Sequence, residues 1–98
     1  MIKYVSKNDF RQAFEDMGKG ESFTYEGLGV LYDWIEETMY NYELDVIELD
    51  SIWSEFENID QFIEEMGNKY IETLEDLEEA TRVIMLSDGE AFICRVDF

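Results

Sequence analysis

The sequence predicts an α+β fold, a small antiparallel sheet with helices packed on it. Three observations carry that prediction. Apolar residues recur at helical spacing in segments that open on Ser, Thr or Asn, and two of these close on glycine. Two β-rich runs, RVIML (82–86) and AFICRV (91–96), flank Ser87-Asp88-Gly89-Glu90, a strong hairpin signal. Finally, 46% of the 98 residues are apolar and 15% aromatic, enough for one modest core despite a net charge of −18. The expected order is β-α-α-β-α-α-β-β, in a single acidic domain over residues 1–98.

Met1 to Val5 reads as a short strand, because Tyr4 and Val5 favour extended backbone. Ser6 reads as a helix cap with Asp9 at the capping-box position. Phe10, Ala13, Phe14 and Met17 then form one apolar stripe, and Gly18-Lys19-Gly20 ends the helix. Ser22 or Thr24 caps a second helix to about Tyr40, with Leu28, Leu31, Tyr32, Ile35 and Met39 on its apolar face and Trp34 and Val30 beside it. Gly27 and Gly29 weaken its first turns by up to about 1 kcal/mol each, which points to a close approach by core or partner. ELDVIEL (43–49) reads as a strand whose alternation breaks near Val46-Ile47, then bends near Asp50; Leu49, Ile52, Trp53 and Phe56 also fit helical spacing. Asn58 or Asp60 opens a third helix carrying Ile59, Phe62, Ile63 and Met66, closed by Gly67. Thr73, with Asp76 at the third helical position, caps a fourth, brief helix. In the hairpin, Asp88-Gly89 fits the centre of a type I′ turn, which needs positive φ at both positions.

Charge sets the functional direction. Between Glu21 and Thr81 stand nineteen of the twenty-five acids and one base, Lys69. This excess disfavours direct contact with nucleic acid or an anionic membrane and favours a basic protein surface. A compact chain of this length, roughly 30–35 Å across, carries about the charge of the same length of duplex DNA, at one per about 1.7 Å. A single cysteine, Cys94, excludes an intrachain disulfide and fits a reducing compartment. No run reaches the length of a membrane span, and the first residues lack a signal-peptide pattern. The expected location is the cytoplasm of a bacterial cell.

Catalytic signatures are missing. There is no histidine, no second cysteine for a thiolate metal site, and no Walker, GxGxxG or GxSxG motif. EF-hand spacing is also missing. No catalytic residue, metal site or cofactor is expected. Cys94 alternates with Phe92 and Val96 and reads as a buried thiol.

The string FTYEGLGVLYDWIEE (23–37), followed by ELDVIEL (43–49), the acidic helices and the closing hairpin, resembles small acidic antirestriction-like proteins of phages and mobile elements. The resemblance spans residues 4–98 and is most specific at FTYEGL (23–28) and ELDVI (43–47). Those proteins carry small and cysteine residues after ELDVI; here Glu48, Leu49, Asp50 and Ser51 stand there, so a function tied to those cysteines does not transfer. DNA-mimic proteins that block restriction or CRISPR enzymes share the acidic, mixed α/β character. The resemblance implies interference with host defence.

Two functions are therefore expected in competition. In the first, a non-enzymatic inhibitor occupies the nucleic-acid groove of a CRISPR effector or restriction enzyme. Asp33, Glu36, Glu37, Glu43, Asp45, Glu64, Glu65, Glu72, Glu75, Asp76, Glu78 and Glu79 stand in for phosphates, and Trp34 and Tyr40 are candidate anchors. In the second, an adaptor binds through exposed aromatics and the acids serve solubility alone. A homodimer is left open.

Overall fold

The structure, a computed structural model, describes residues 5–39, 41–67 and 70–97. Five helices and three strands follow in the order α1 (Lys7–Asp16), α2 (Tyr25–Thr38), α3 (Val46–Ile52), β1 (Trp53–Phe56), α4 (Ile59–Met66), α5 (Leu74–Ala80), β2 (Val83–Met85) and β3 (Phe92–Arg95). Each helix begins where a side chain can accept an otherwise orphaned backbone N–H. Ser6 caps α1 and Thr73 caps α5, each in a reciprocal capping box with the Asp three residues on. Thr24, Asp45 and Asn58 cap α2, α3 and α4. Helix α1 ends in a Schellman motif: the Lys19 N–H donates to Phe14 O at 2.8 Å, the Gly18 N–H donates to Glu15 O at 3.0 Å, and Gly18 takes φ 77°.

The sheet order is β1-β3-β2, all antiparallel, with Trp53 opposite Arg95, Phe56 opposite Phe92, and Val83 opposite Cys94. Period-2 alternation divides its side chains between two cores. Trp53, Ile84, Leu86 and Ile93 join Phe10, Phe14, Leu28, Leu31, Ile35 and Leu49 under α1–α3. Phe56, Val83, Met85, Phe92 and Cys94 join Phe62, Ile71 and Leu77 under α4 and α5. The sheet therefore lies between two helical layers, in a body 40 × 25 × 24 Å with a radius of gyration of 13.5 Å. Among the described residues no helix is long and apolar enough to cross a membrane.

The α+β class and the C-terminal hairpin stand as expected. The strand expected over 43–49 is a correction: residues 46–52 form α3, and the strand begins only at Trp53. Asp45 decides it, because its carboxylate accepts the Glu48 N–H at 3.0 Å and fixes a helix start inside the ELDVIEL run. With Val46 and Leu49 turned inward at i and i+3, the apparent break in alternation is the helical period. The expected strand over residues 1–5 lies outside the described residues except for Val5. The hairpin turn also differs. The Gly89 N–H donates to Leu86 O at 3.3 Å, so Ser87-Asp88 occupy the turn centre and Gly89, at φ 77°, follows it in a four-residue loop. Gly27 and Gly29 are approached by this chain's own side chains, Glu55 and Arg11 respectively.

Candidate functional site

The α4–α5 layer concentrates exposed acid. On α4, Phe62 is buried and Ile59 and Ile63 pack beside it, so Asp60, Glu64 and Glu65 fall on the outer face. On α5, Leu77 is buried and Leu74 packs inward, leaving Glu75, Glu78 and Glu79 exposed. Glu57 before α4 and Glu72 before α5 are exposed as well. No Lys or Arg is present among the described residues of 57–81; Lys69 lies outside them. Like charges at i, i+4, such as Asp60–Glu64 and Glu75–Glu79, each disfavour the helix by a few tenths of a kcal/mol. Glu57 and Asp60 were not among the expected contact acids, although their place in the acid-rich run before and at the start of α4 was visible in the sequence.

The remaining expected acids divide by what they do. Asp33 on α2 pairs with Lys7, Nζ to Oδ1, at 3.0 Å. Glu36 is half-buried and Glu37 exposed on the same helix. Glu43 is exposed ahead of α3, and Asp45 is committed to capping that helix. Asp76 accepts the Glu72 N–H at 3.1 Å and the Thr73 N–H at 3.2 Å, so it holds α5 in place. The structure therefore splits the expected set. Glu64, Glu65, Glu72, Glu75, Glu78 and Glu79 share one layer, while Asp33, Glu36, Glu37, Glu43 and Asp45 belong to the layer on the other side of the sheet.

Bases are placed as unevenly. Lys7 and Arg11 on α1, and Lys19 just after it, belong to the α1–α3 layer. There Lys19 pairs with Asp50 at 3.4 Å, and Arg11 donates to Tyr25 O while its guanidinium lies 3.5 Å from the Tyr25 ring centre. Arg82 and Arg95 stand at the end of the sheet. They line an open cleft of about 650 Å³ with Trp34, Glu78, Glu79 and Asp97. Arg95 holds Asp97 through two bonds, 2.7 and 3.2 Å, and this pairing lowers the Asp97 carboxyl below its ordinary value. Glu78 and Glu79 share this cleft with the two guanidiniums, so the acid layer meets positive charge at this end.

The aromatic expectations also divide. Trp53 is buried, as expected for a core residue, and Trp34 stacks edge-on against it with ring centres 5.1 Å apart. Trp34 is therefore a half-buried cover for Trp53, with one side open to the cleft. Tyr40 lies outside the described residues. The most exposed aromatics are Tyr70 at 79% and Tyr25 at 73%. Tyr42 donates to Glu48 Oε1 at 3.0 Å; burial first, then this bond, raises its phenol above the ordinary value. No group of three or more metal-binding side chains occurs among the described residues. No protein-family model, no curated protein and no solved structure matches this chain.

Proposed function

We propose that this protein is a non-enzymatic inhibitor of a bacterial defence enzyme, a restriction enzyme or CRISPR effector, which presents the α4–α5 layer to a basic nucleic-acid groove. One observation carries the reading: eight exposed carboxylates on that layer, Glu57, Asp60, Glu64, Glu65, Glu72, Glu75, Glu78 and Glu79, with no base among its described residues. The scale of charge agrees. A duplex as long as the 40 Å principal axis carries about 24 phosphates, against a net −18 for the chain. Long-range attraction speeds encounter with a cationic groove, and specificity against other basic proteins then comes from shape and register. The resemblance to acidic antirestriction-like proteins supports host defence as the setting.

The test is inhibition of DNA cleavage by purified restriction and CRISPR nucleases, after capture of the target from bacterial lysate. Glu64→Gln, Glu65→Gln, Glu75→Gln and Glu78→Gln together should weaken inhibition by more than about tenfold, and binding should fall steeply with salt. Inhibition that survives both the variant and high salt would sink the proposal. The exposure of Tyr25 and Tyr70 favours the adaptor reading as the alternative. In that case Tyr25→Ala with Tyr70→Ala abolishes capture and the four Gln substitutions leave it intact.

A further inference from the structure

We infer that the groove between the end of α1 and the start of α3 is a second docking site, on the helical layer opposite the acid-rich one, for an apolar segment flanked by Lys or Arg. Of the five large hydrophobic side chains exposed among the described residues, Met17 and Ile47 stand together at one groove, which Tyr25, Met66 and Tyr70 do not line. Met17, at the end of the α1 stripe, is 52% exposed, and Ile47, on the first turn of α3, is 51% exposed. They line a groove of about 420 Å³ together with Leu44 and Val46, over Ala13 at its base. Folding does not call for either residue in this position. A β-branched side chain on an exposed helical turn has lower helix propensity than Glu or Lys. An exposed methionine forgoes burial but offers a flexible, polarizable surface suited to binding. The two side chains thus offer a small apolar surface, bordered by carboxylates, to an apolar anchor from a partner.

Charge selects the occupant. The polar residues lining the groove are Asp16 and Asp45, with no base among its described lining. Both are already held locally: Asp16 accepts from Gln12 at 3.0 Å and Asp45 caps α3. Both side chains border the groove in these roles, so a cation can approach them without rearrangement of the helices. A second copy of this chain is a poor occupant, since a symmetric contact would set Asp16 and Asp45 against their own equivalents and bring two bodies of −18 together. A short segment with a Leu, Met or Phe anchor and basic flanks satisfies both the floor and the rim. The inference does not depend on the proposed inhibitory activity, because the groove and the α4–α5 layer lie on opposite sides of the sheet.

The experiment is a methyl and amide NMR titration of the intact protein with three synthetic peptides of equal length. One has a central Leu-Leu pair between lysines, one replaces the leucines with serine, and one replaces the lysines with glutamate. Saturable shifts of the Met17 and Ile47 methyls with the first peptide, at least about tenfold weaker with each of the other two up to about 1 mM, are expected. Ile47→Ser should reduce affinity for the first peptide by about tenfold while the thermal melt stays in place, because the side chain is half in solvent. Equal binding of the serine peptide, shifts confined to α4 and α5, or no saturable shift with any peptide would overturn the inference. Concentration-dependent self-association that Ile47→Ser abolishes would replace the basic segment with a second copy and overturn it too.

Discussion

At the scale of single residues, the most informative neighbours are Gly27 and Glu55. A Cβ at position 27 would collide with Glu55 Oε1, the oxygen that accepts the Thr24 N–H at 2.9 Å. Two effects oppose each other in Gly27→Ala. Helix propensity favours alanine by up to about 1 kcal/mol. Displacing the carboxylate breaks a charge-assisted bond of about 1.5–3 kcal/mol that ties β1 to the start of α2. The loss of the bond outweighs the gain in propensity, so Gly27→Ala should destabilise by about 1 kcal/mol. In a Glu55→Ala background the same change should stabilise, and chemical denaturation of the four proteins measures the sign reversal. Cys94 permits a second test. Burial pushes its thiol up to about 12 from an ordinary 9.0. The folded state keeps this proton while the unfolded state releases it, so the contribution is complete below about pH 9 and is lost as pH rises from there toward 12. Stability should therefore fall with a slope approaching about 1.4 kcal/mol per pH unit above that point. Cys94→Ala should flatten the slope between pH 8.5 and about 10, below the range where Tyr42, also raised, begins to contribute.

At the scale of elements, the caps decide what forms and what an acid is for. Helix α5 has seven residues and α3 has seven, too short to persist on propensity alone. Thr73→Ala and Asp45→Ala should each cost about 1 kcal/mol, seen as a lower melting temperature, with target inhibition unchanged after correction for the folded fraction. Neutralising Glu75 and Glu78 should do the reverse, weakening inhibition while leaving stability nearly unchanged. Relief of like-charge repulsion is there offset by loss of a first-turn acid in α5 and of an acid beside Arg82 and Arg95. This contrast separates structural carboxylates from contact carboxylates, which the sequence alone merges. Much of the fold was legible because cap and stop signals are local: Ser6, Thr24, Asn58, Thr73, Gly18 and Gly67 each mark a helix end that the structure bears out. ELDVIEL misled because its acids and aliphatics fit a bulged strand as well as a helix, and only the Asp45 cap and the tertiary burial of Val46 and Leu49 separate the two. The partition of acids into two layers was not legible at all. It depends on which face of the sheet each helix covers, a long-range fact set by β1 pairing with β3 across the thirty-five residues of chain that separate Phe56 from its partner Phe92.

At the scale of the whole molecule, local attraction and global repulsion compete, and pH and salt separate them. Asp88 is held below its ordinary value by the Glu90 and Ala91 N–H groups, and Asp97 by Arg95. Their contributions are present above the unfolded value, about 3.9, and lost as pH falls below it. Their contribution to stability should therefore fall away only below about pH 4, and Asp88→Asn should make the acid limb shallower. Salt tests the opposing repulsion near neutrality. The ion pairs Lys7–Asp33, Lys19–Asp50 and Arg95–Asp97 are all partly exposed and are worth about 0–1 kcal/mol each. Screening weakens them, but it also relieves the mutual repulsion of a body that carries −18 in 98 residues. Against many like-charge contacts, these weak attractions among the described residues do not prevail, so the melting temperature at pH 7.5 should rise from about 20 mM to about 500 mM sodium chloride. The Gln variant at Glu64, Glu65, Glu75 and Glu78 should melt higher than the parent at low salt and show a smaller salt response, because part of the repulsion has already been removed. A melting temperature that falls with salt in the parent would mean that the ion pairs outweigh the carboxylate field. The α4–α5 layer would then lack the open negative potential on which recognition of a cationic groove depends.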